Sequence, residues 1–183
     1  MNDTPYLGQT TDMLLGQEFL TWLWFRSSIG GIFNDKSGRP FCVSMEQRIV
    51  VQGGEGEHVE TASVSGIGSE LREARMGLTT GKKVTRALLR LERDPEEWQV
   101  SLKASDFSLG SLKTPKIEKS VGDDADPDAL LLEKLYLVES CLELIDALYA
   151  AFLQVRFDVV AWKEEVTGLR QWMGTESTLH RGL

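Results

Sequence analysis

The chain has 183 residues, of which 42% are hydrophobic and 26% charged, and its formal net charge at pH 7 is −8. That length suits one domain with a real core or two small ones, and the acidic balance argues against a surface that attracts nucleic acid everywhere. No apolar run reaches the roughly 20 residues that a membrane-spanning helix needs, and the opening residues lack a secretory signal pattern. We therefore expect a cytoplasmic protein. Its two cysteines form no CxxC pair, so neither a disulfide framework nor a zinc site is expected.

Residues 18–28 read EFLTWLWFRSS, an aromatic block of high density. The pattern predicts a helix over residues 11–29, with Thr11 or Asp12 as its N-cap and a pair of glycines beyond its end. Helical spacing assigns one face to the core and the opposite face to solvent. The predicted core positions are Leu15, Phe19, Trp22 and Leu23, and the predicted solvent positions are Gln17, Glu18 and Thr21.

Trp24 and Phe25 fall on the stripe that the polar residues of this helix define. Core packing within the helix pattern does not explain two aromatic side chains there. We expect them to contact the terminal helices or a second subunit.

Residues 31–119 show short β-strand patterns separated by turn signals. The segments KSGRP and RDPE each lie between two alternating segments and predict hairpins. A short helix with Ser69 as its cap is predicted to end at the Thr80–Gly81 pair. In the strand of the second hairpin, side chains alternate with period 2. One predicted face holds Lys82, Val84, Arg86, Leu88 and Arg90, and the other, facing the core, holds Thr85, Ala87, Leu89 and Leu91.

The last part of the chain predicts two helices. Asp126 and Pro127 give a strong start signal for a long helix, and a final helix is predicted from about 158 to 173. The long helix has two adjacent apolar seams, which indicate either a core helix that lies across the sheet or a helix that pairs with another subunit. The first seam is Leu131, Leu135, Val138, Leu142, Ile145, Tyr149 and Phe152, and the second is Leu130, Leu137, Cys141, Leu144, Leu148, Ala151 and Val155.

Charge is distributed unevenly along the chain. Residues 68–119 carry 11 basic and 8 acidic side chains, whereas both flanking segments are net acidic. This basic segment is either a surface that neutralises phosphates or a solvated sheet face paired with its own glutamates. The predicted phosphate contacts are Lys82, Lys83, Arg86, Arg90, Lys113 and Lys116.

The sequence contains no recognisable catalytic motif. Residues 77–83, GLTTGKK, have the wrong glycine spacing and the wrong flanking elements for a Walker A loop. His58 and His180 are the only histidines, and no spacing links them to metal-ligating partners. We expect neither an enzyme nor a cofactor.

Residues 53–116 resemble the C-terminal part of the recombination-associated protein RdgC family. The resemblance is carried by a short helix, a GK turn, a V-T-x-L-x-L type of strand, a strand with a W-x-x-x-L type of pattern, and an L-K segment. The matching positions are Gly81, Lys82, Val84, Thr85, Leu89, Leu91, Leu112 and Lys113.

This resemblance implies a nucleoid-associated homodimer that binds double-stranded DNA with little sequence preference and restrains RecA, without catalysis or cofactor. The chain is shorter and more acidic than typical members. The alternative is a protein–protein interaction or structural subunit without a nucleic-acid role. The expected interface residues are Trp24, Phe25, Leu135, Leu142 and Tyr149.

The expected fold of residues 1–183 is one α+β domain. It has a mostly antiparallel sheet on which an N-terminal aromatic helix, one short helix and two C-terminal helices pack. Its three parts are a helix at 11–29, a sheet region at 31–119 and a helical part at 126–173.

Overall fold

A computed structural model of the protein describes residues 12–45, 48–53, 60–64, 69–116 and 126–174. It is an α+β fold with an antiparallel sheet, and the predicted fold class is confirmed. The elements are α1 (Gly16–Ser28), β1 (Ile32–Asn34), β2 (Pro40–Ser44), β3 (Ile49–Gly53), β4 (Glu60–Val64), α2 (Ser69–Thr79), β5 (Lys83–Arg93), β6 (Glu96–Lys103), β7 (Leu109–Lys113), α3 (Pro127–Phe157) and α4 (Val159–Gly174).

Strand β5 is the centre of the sheet. Its C-terminal half pairs with β2 and its N-terminal half with β3, while β1 and β4 flank these two strands. Its other edge pairs with β6, which in turn pairs with β7. Both predicted hairpins are present, as β1–β2 and β5–β6. The apolar segment 41–52, however, is divided between β2 and β3 because each pairs with a different half of β5.

The alternation of β5 is confirmed over most of its length. Ala87, Leu89 and Leu91 are buried, whereas Arg86 and Arg90 are exposed on the opposite face, which we call the outer face of the sheet. The prediction for Val84 is wrong, because this side chain is buried.

A β-bulge explains this error. The register against β3 shifts between Val50 and Val51, which pair with Arg86 and Val84, so Thr85 is an extra residue in β5. A bulge of this kind changes the face to which the preceding side chains point. The residues before Thr85 therefore face the side opposite to the predicted one.

Helix α1 is buried on nearly all sides. The prediction that Glu18 and Thr21 face solvent is wrong, because both are buried with internal partners. Glu18 Oε2 accepts a hydrogen bond from Nε of Arg156 in α3 at 2.8 Å. The Thr21 hydroxyl donates to the Gln17 carbonyl at 2.7 Å and accepts from the backbone N–H of Val84 at 3.3 Å.

The helix also begins later than predicted, at Gly16. The carboxylate of Asp12 still caps it, accepting from the N–H groups of Gly16 and Gln17 at 3.0 and 2.8 Å. Residues 13–14 form a turn between this carboxylate and the helix, and Leu15 has a left-handed backbone with φ of 52°.

Helix α3 begins as predicted, since the Asp126 carboxylate accepts from the N–H of Asp128 and Pro127 is the first helical residue. Its two seams differ in burial. The second seam contributes core residues Leu137, Cys141, Leu144 and Leu148, whereas the first seam exposes Leu131, Leu135 and Leu142 and buries only Ile145 and Phe152. Among the helices described, none is long and apolar enough to cross a membrane.

Candidate nucleic-acid interface

The outer face of the sheet collects cations from four strands or strand ends. Arg86 of β5 lies opposite Lys103 of β6, and Gln99 of β6 lies between Arg90 of β5 and Lys113 of β7. Arg48 lies beside β5, where its carbonyl accepts from the N–H of Leu88 at 2.9 Å. Neighbouring strands are about 4.8 Å apart and alternate residues of one strand about 6.6 Å apart, so these five cations lie within a small area.

Three of these cations line one cleft of about 540 Å³, which we call the central cleft. They are Arg48, Arg86 and Lys113, and the other lining residues are neutral: Val50, Ser63, Leu88, Gln99, Ser101 and Ser111. No carboxylate and no aromatic ring is among these described lining residues. In the part of the chain that the structure describes, the three cations also have no ion pair.

The other two cations are paired with carboxylates. Arg90 contacts Glu92 and Glu97, each at 2.8 Å. Lys103 Nζ lies 3.3 Å from Asp106. Hydrogen bonds from the hydroxyl and N–H of Ser108, assisted by Lys103, lower the pKa of Asp106 to about 2, so this carboxylate is charged at neutral pH. Exposed pairs of this kind contribute little to stability, and their cations remain exchangeable.

The six predicted phosphate contacts do not form one surface. Arg86 and Lys113 come together in the central cleft, and Arg90 lies on the same face but is paired. Lys116 is exposed beyond β7, where it lines a neighbouring cleft that also contains Glu96 and Glu97.

Lys82 and Lys83 lie elsewhere. Lys82 Nζ contacts Glu60 at 2.9 Å, and this contact lowers the pKa of Glu60. Lys83 is only 7% exposed, so its prediction as a phosphate contact is corrected. Lys83 pairs with Gln52 of β3, and its side chain is buried at that position.

Arg48 was not among the predicted contacts. It lies in the acidic first third of the sequence, in the alternating segment that follows KSGRP. Side chains two residues apart on a strand point to the same face, so Arg48 is expected on the same face as Val50 of β3. Its proximity to Arg86 and Lys113 depends on the pairing of β3 with β5, which no local pattern specifies.

The predicted interface residues divide into two groups. Trp24 and Phe25 are buried against Trp172 of α4, with ring centroids 5.2 and 5.8 Å apart, so they contact a terminal helix, the first of the two expected partners. The Tyr149 hydroxyl donates to the Leu14 carbonyl at 2.7 Å, and its ring packs on Phe19. Leu135 and Leu142, by contrast, are 55% and 44% exposed.

Other chemistry is not assembled in the described residues. No group of three or more His, Cys, Asp or Glu side chains there could hold a metal ion. Burial raises the pKa of the Cys141 thiol to about 11. The glycines of residues 77–83 end α2 and turn the chain, with Gly81 at a φ of 88°, as expected for a helix C-terminus.

The fold and this face define an α+β protein with one open, cationic sheet surface. Comparison of the chain with protein-family models, curated proteins and solved structures finds no match in any of the three.

Proposed function

We propose that the outer face of the sheet binds the phosphate backbone of duplex DNA without reading its sequence. The observation that carries this proposal is the central cleft, where Arg48, Arg86 and Lys113 converge without a carboxylate in a chain of net charge −8. Uncompensated cations on an acidic protein localise a polyanion to one face, because the remaining surface repels it. Such binding would keep the protein on chromosomal DNA, in the nucleoid.

The composition of the cleft favours duplex over single-stranded DNA. Proteins that bind single strands combine cations with aromatic side chains on which unpaired bases stack, and each such contact contributes about 1–3 kcal/mol. The residues that line the central cleft include no aromatic ring. Phosphate contacts alone position a backbone without specifying bases.

The test is fluorescence polarisation of a labelled 20-base-pair duplex over a series of salt concentrations. Three neutralised phosphates give a slope of log affinity against log salt of about −2.7. The triple variant Arg48→Gln, Arg86→Gln and Lys113→Gln is expected to remove most of this slope, because it removes the three cations of the central cleft.

Lys163→Gln is the control, since it removes an exposed cation from α4, outside the sheet. It should leave the slope within error. Absence of wild-type binding at about 20 mM salt, where phosphate contacts are strongest, would reject the proposal, as would equal losses in the triple variant and the control.

A second candidate function is self-association through α3. Leu131, Leu135 and Leu142 of the first seam are 56%, 55% and 44% exposed, and Leu132 and Tyr136 beside them are also exposed. Apolar side chains at heptad spacing on one helix are typical of helix pairing.

The seam is complementary to itself in an antiparallel arrangement. Aligning Leu131 with Leu142 of a second copy also places Leu135 beside Val138 and Lys134 beside Glu139. The two-fold symmetry repeats each contact, as an isologous dimer requires. Light scattering at micromolar concentration should show a dimer for the wild type and a monomer for Leu135→Glu with Leu142→Glu. A wild-type monomer at that concentration counts against this candidate.

A further inference from the structure

A second cleft lies beside the central cleft and shares Arg86 with it. It measures about 290 Å³ and is lined by Gln17, Val50, Gln52, Thr85, Arg86, Lys103, Ala104 and Ser105. We call it the bulge cleft because Thr85, the extra residue of β5, is part of its wall. Its volume is close to the lower limit of about 300 Å³ for small-ligand sites.

The position of α1 creates this cleft. A side chain at Gly16 would overlap the backbone carbonyl of Ala104, so only glycine allows the helix to begin against the end of β6. This close approach makes Gln17 part of the wall of the bulge cleft, which Lys103 also lines. The N–H groups of Gly16 and Gln17 already donate to the Asp12 carboxylate and are not available to a ligand.

The lining groups are suited to an oxyanion. Arg86 has no ion pair in the described part of the chain, and the contact of Lys103 with Asp106 is long and exposed. Gln17, Gln52 and Ser105 have side chains that make no hydrogen bond to the residues that the structure describes. The Thr85 hydroxyl is committed, since it donates to the Val50 carbonyl at 3.3 Å. No carboxylate is among the described residues that line the bulge cleft.

We infer that the bulge cleft binds a small ligand through a phosphate group, with Arg86 and Lys103 as charged contacts and Gln17, Gln52 and Ser105 as neutral donors. A phosphate dianion presents three acceptor oxygens, which matches two cations and several donors that converge on one space. Because Arg86 also lines the central cleft, a bound phosphate group competes with DNA for this side chain. Only this competition rests on the proposed DNA binding.

The test titrates ¹⁵N-labelled protein at constant ionic strength with inorganic phosphate, adenosine monophosphate or adenosine. Both phosphate compounds should shift the amide signals of Thr85, Arg86 and Ala104 saturably, and adenosine should not. Tighter binding of the monophosphate than of inorganic phosphate would identify a nucleotide as the better source of the group. Binding of adenosine, or shifts that do not saturate, would overturn the inference.

Matched variants separate this inference from the proposed function. Lys103→Gln should weaken phosphate binding about tenfold, since it removes a charge-assisted hydrogen bond. Lys113→Gln, on the same face but outside the bulge cleft, should leave phosphate affinity unchanged while it weakens duplex binding. Equal loss of phosphate affinity in both variants rejects the bulge cleft. Phosphate binding without any duplex binding rejects only the proposed function.

Discussion

Asp35 lies where the β1–β2 turn meets the end of the β5–β6 hairpin. Its carboxylate accepts from the Ser37 hydroxyl at 2.6 Å and from Arg93 at 3.1 Å, and the Arg93 guanidinium also contacts Glu96 at 2.7 Å. Hydrogen bonds, first that of Ser37, lower the pKa of Asp35 well below its ordinary value of 3.8 and outweigh the opposite effect of burial. The charged form of this carboxylate therefore stabilises the fold.

This lowered pKa predicts a loss of stability in acid. Below about pH 4 the unfolded chain binds a proton at Asp35 that the folded chain does not. The free energy of unfolding therefore decreases as the pH is lowered. Asp35→Asn should have a lower Tm than the wild type at neutral pH and a shallower decline of Tm between about pH 4 and pH 2. Asp94→Asn, an exposed change in the adjoining turn, serves as the control. An unchanged acid slope in Asp35→Asn would contradict the assignment.

At the scale of elements, α1 shows what hydrophobic periodicity could not predict. Its C-terminal end at Ser28 and its core residues Phe19, Trp22 and Leu23 follow from the local pattern of apolar residues and glycines. The burial of Glu18 does not, because its partner Arg156 is 138 positions away in the sequence. A polar residue on a helix is expected to face solvent unless a buried partner is known. For Glu18, that partner is available only because α3 packs on α1.

The burial of Trp24 predicts a large effect on stability. Its ring packs edge-on against Trp172, and the ring of Phe25 beside it also packs on Trp172, with centroids 5.8 Å apart. Trp24→Ala should lower the free energy of unfolding by about 3–5 kcal/mol, because it leaves a cavity between α1 and α4. Chemical denaturation measures this loss, with Met76→Ala on the exposed surface of α2 as a control that changes stability by about 0.5 kcal/mol or less. Stability near that of the wild type in Trp24→Ala would contradict this packing.

The two seams of α3 were both predicted, but the sequence does not decide which one covers the sheet. The choice follows from contacts outside the helix, such as the hydrogen bond from Trp98 Nε1 to the Leu137 carbonyl at 2.9 Å. This bond joins the second seam to β6. The exposed first seam is then the one available to a second copy.

The proposed antiparallel pairing of α3 is tested by exchanging its charges. Lys134→Glu should weaken the dimer, because it places two glutamates together at each of two symmetric contacts. Adding Glu139→Lys should restore the dimer, since the same pair is then present in reverse. Sedimentation equilibrium of the two variants measures both steps. A failure of the second change to restore association would exclude this register, even if Leu135→Glu disrupts the dimer.

At the scale of the whole molecule, the order of the predicted helices and strands was enough to predict the fold class. The distribution of charged residues along the sequence was not enough to predict the candidate site. The basic segment at residues 68–119 supplies Arg86 and Lys113, but Lys83 from the same segment is buried and Arg48 from an acidic segment replaces it. Strand pairing places Arg48 beside Arg86, and burial removes Lys83 from the surface. Both are tertiary features. The distribution of charge along the chain could therefore locate strand β5 but could not identify the residues that form the cationic surface.

The acidic end of the outer face gives the last prediction. Glu92 of β5 and Glu97 of β6 lie opposite each other. Each is two residues along its strand from the row in which Arg90, Gln99 and Lys113 pair across three strands. At roughly 10 Å in water, each negative charge repels a phosphate by about 0.4 kcal/mol. Replacing both by glutamine removes this repulsion and also ends the ion pairs of Arg90 with both residues, so duplex affinity should rise at least about fourfold at low salt, and less as salt screens the charges.

A matched variant separates this local effect from net charge. Glu133→Gln with Glu164→Gln makes the same change of net charge at exposed positions of α3 and α4, outside the sheet. Both double variants have a net charge two units less negative, so a dependence on net charge alone would raise their affinities equally. A gain only in the Glu92 and Glu97 variant, measured by polarisation with the same duplex, would locate the bound DNA on the outer face. Equal gains would mean that DNA responds to the charge of the whole protein and not to the central cleft.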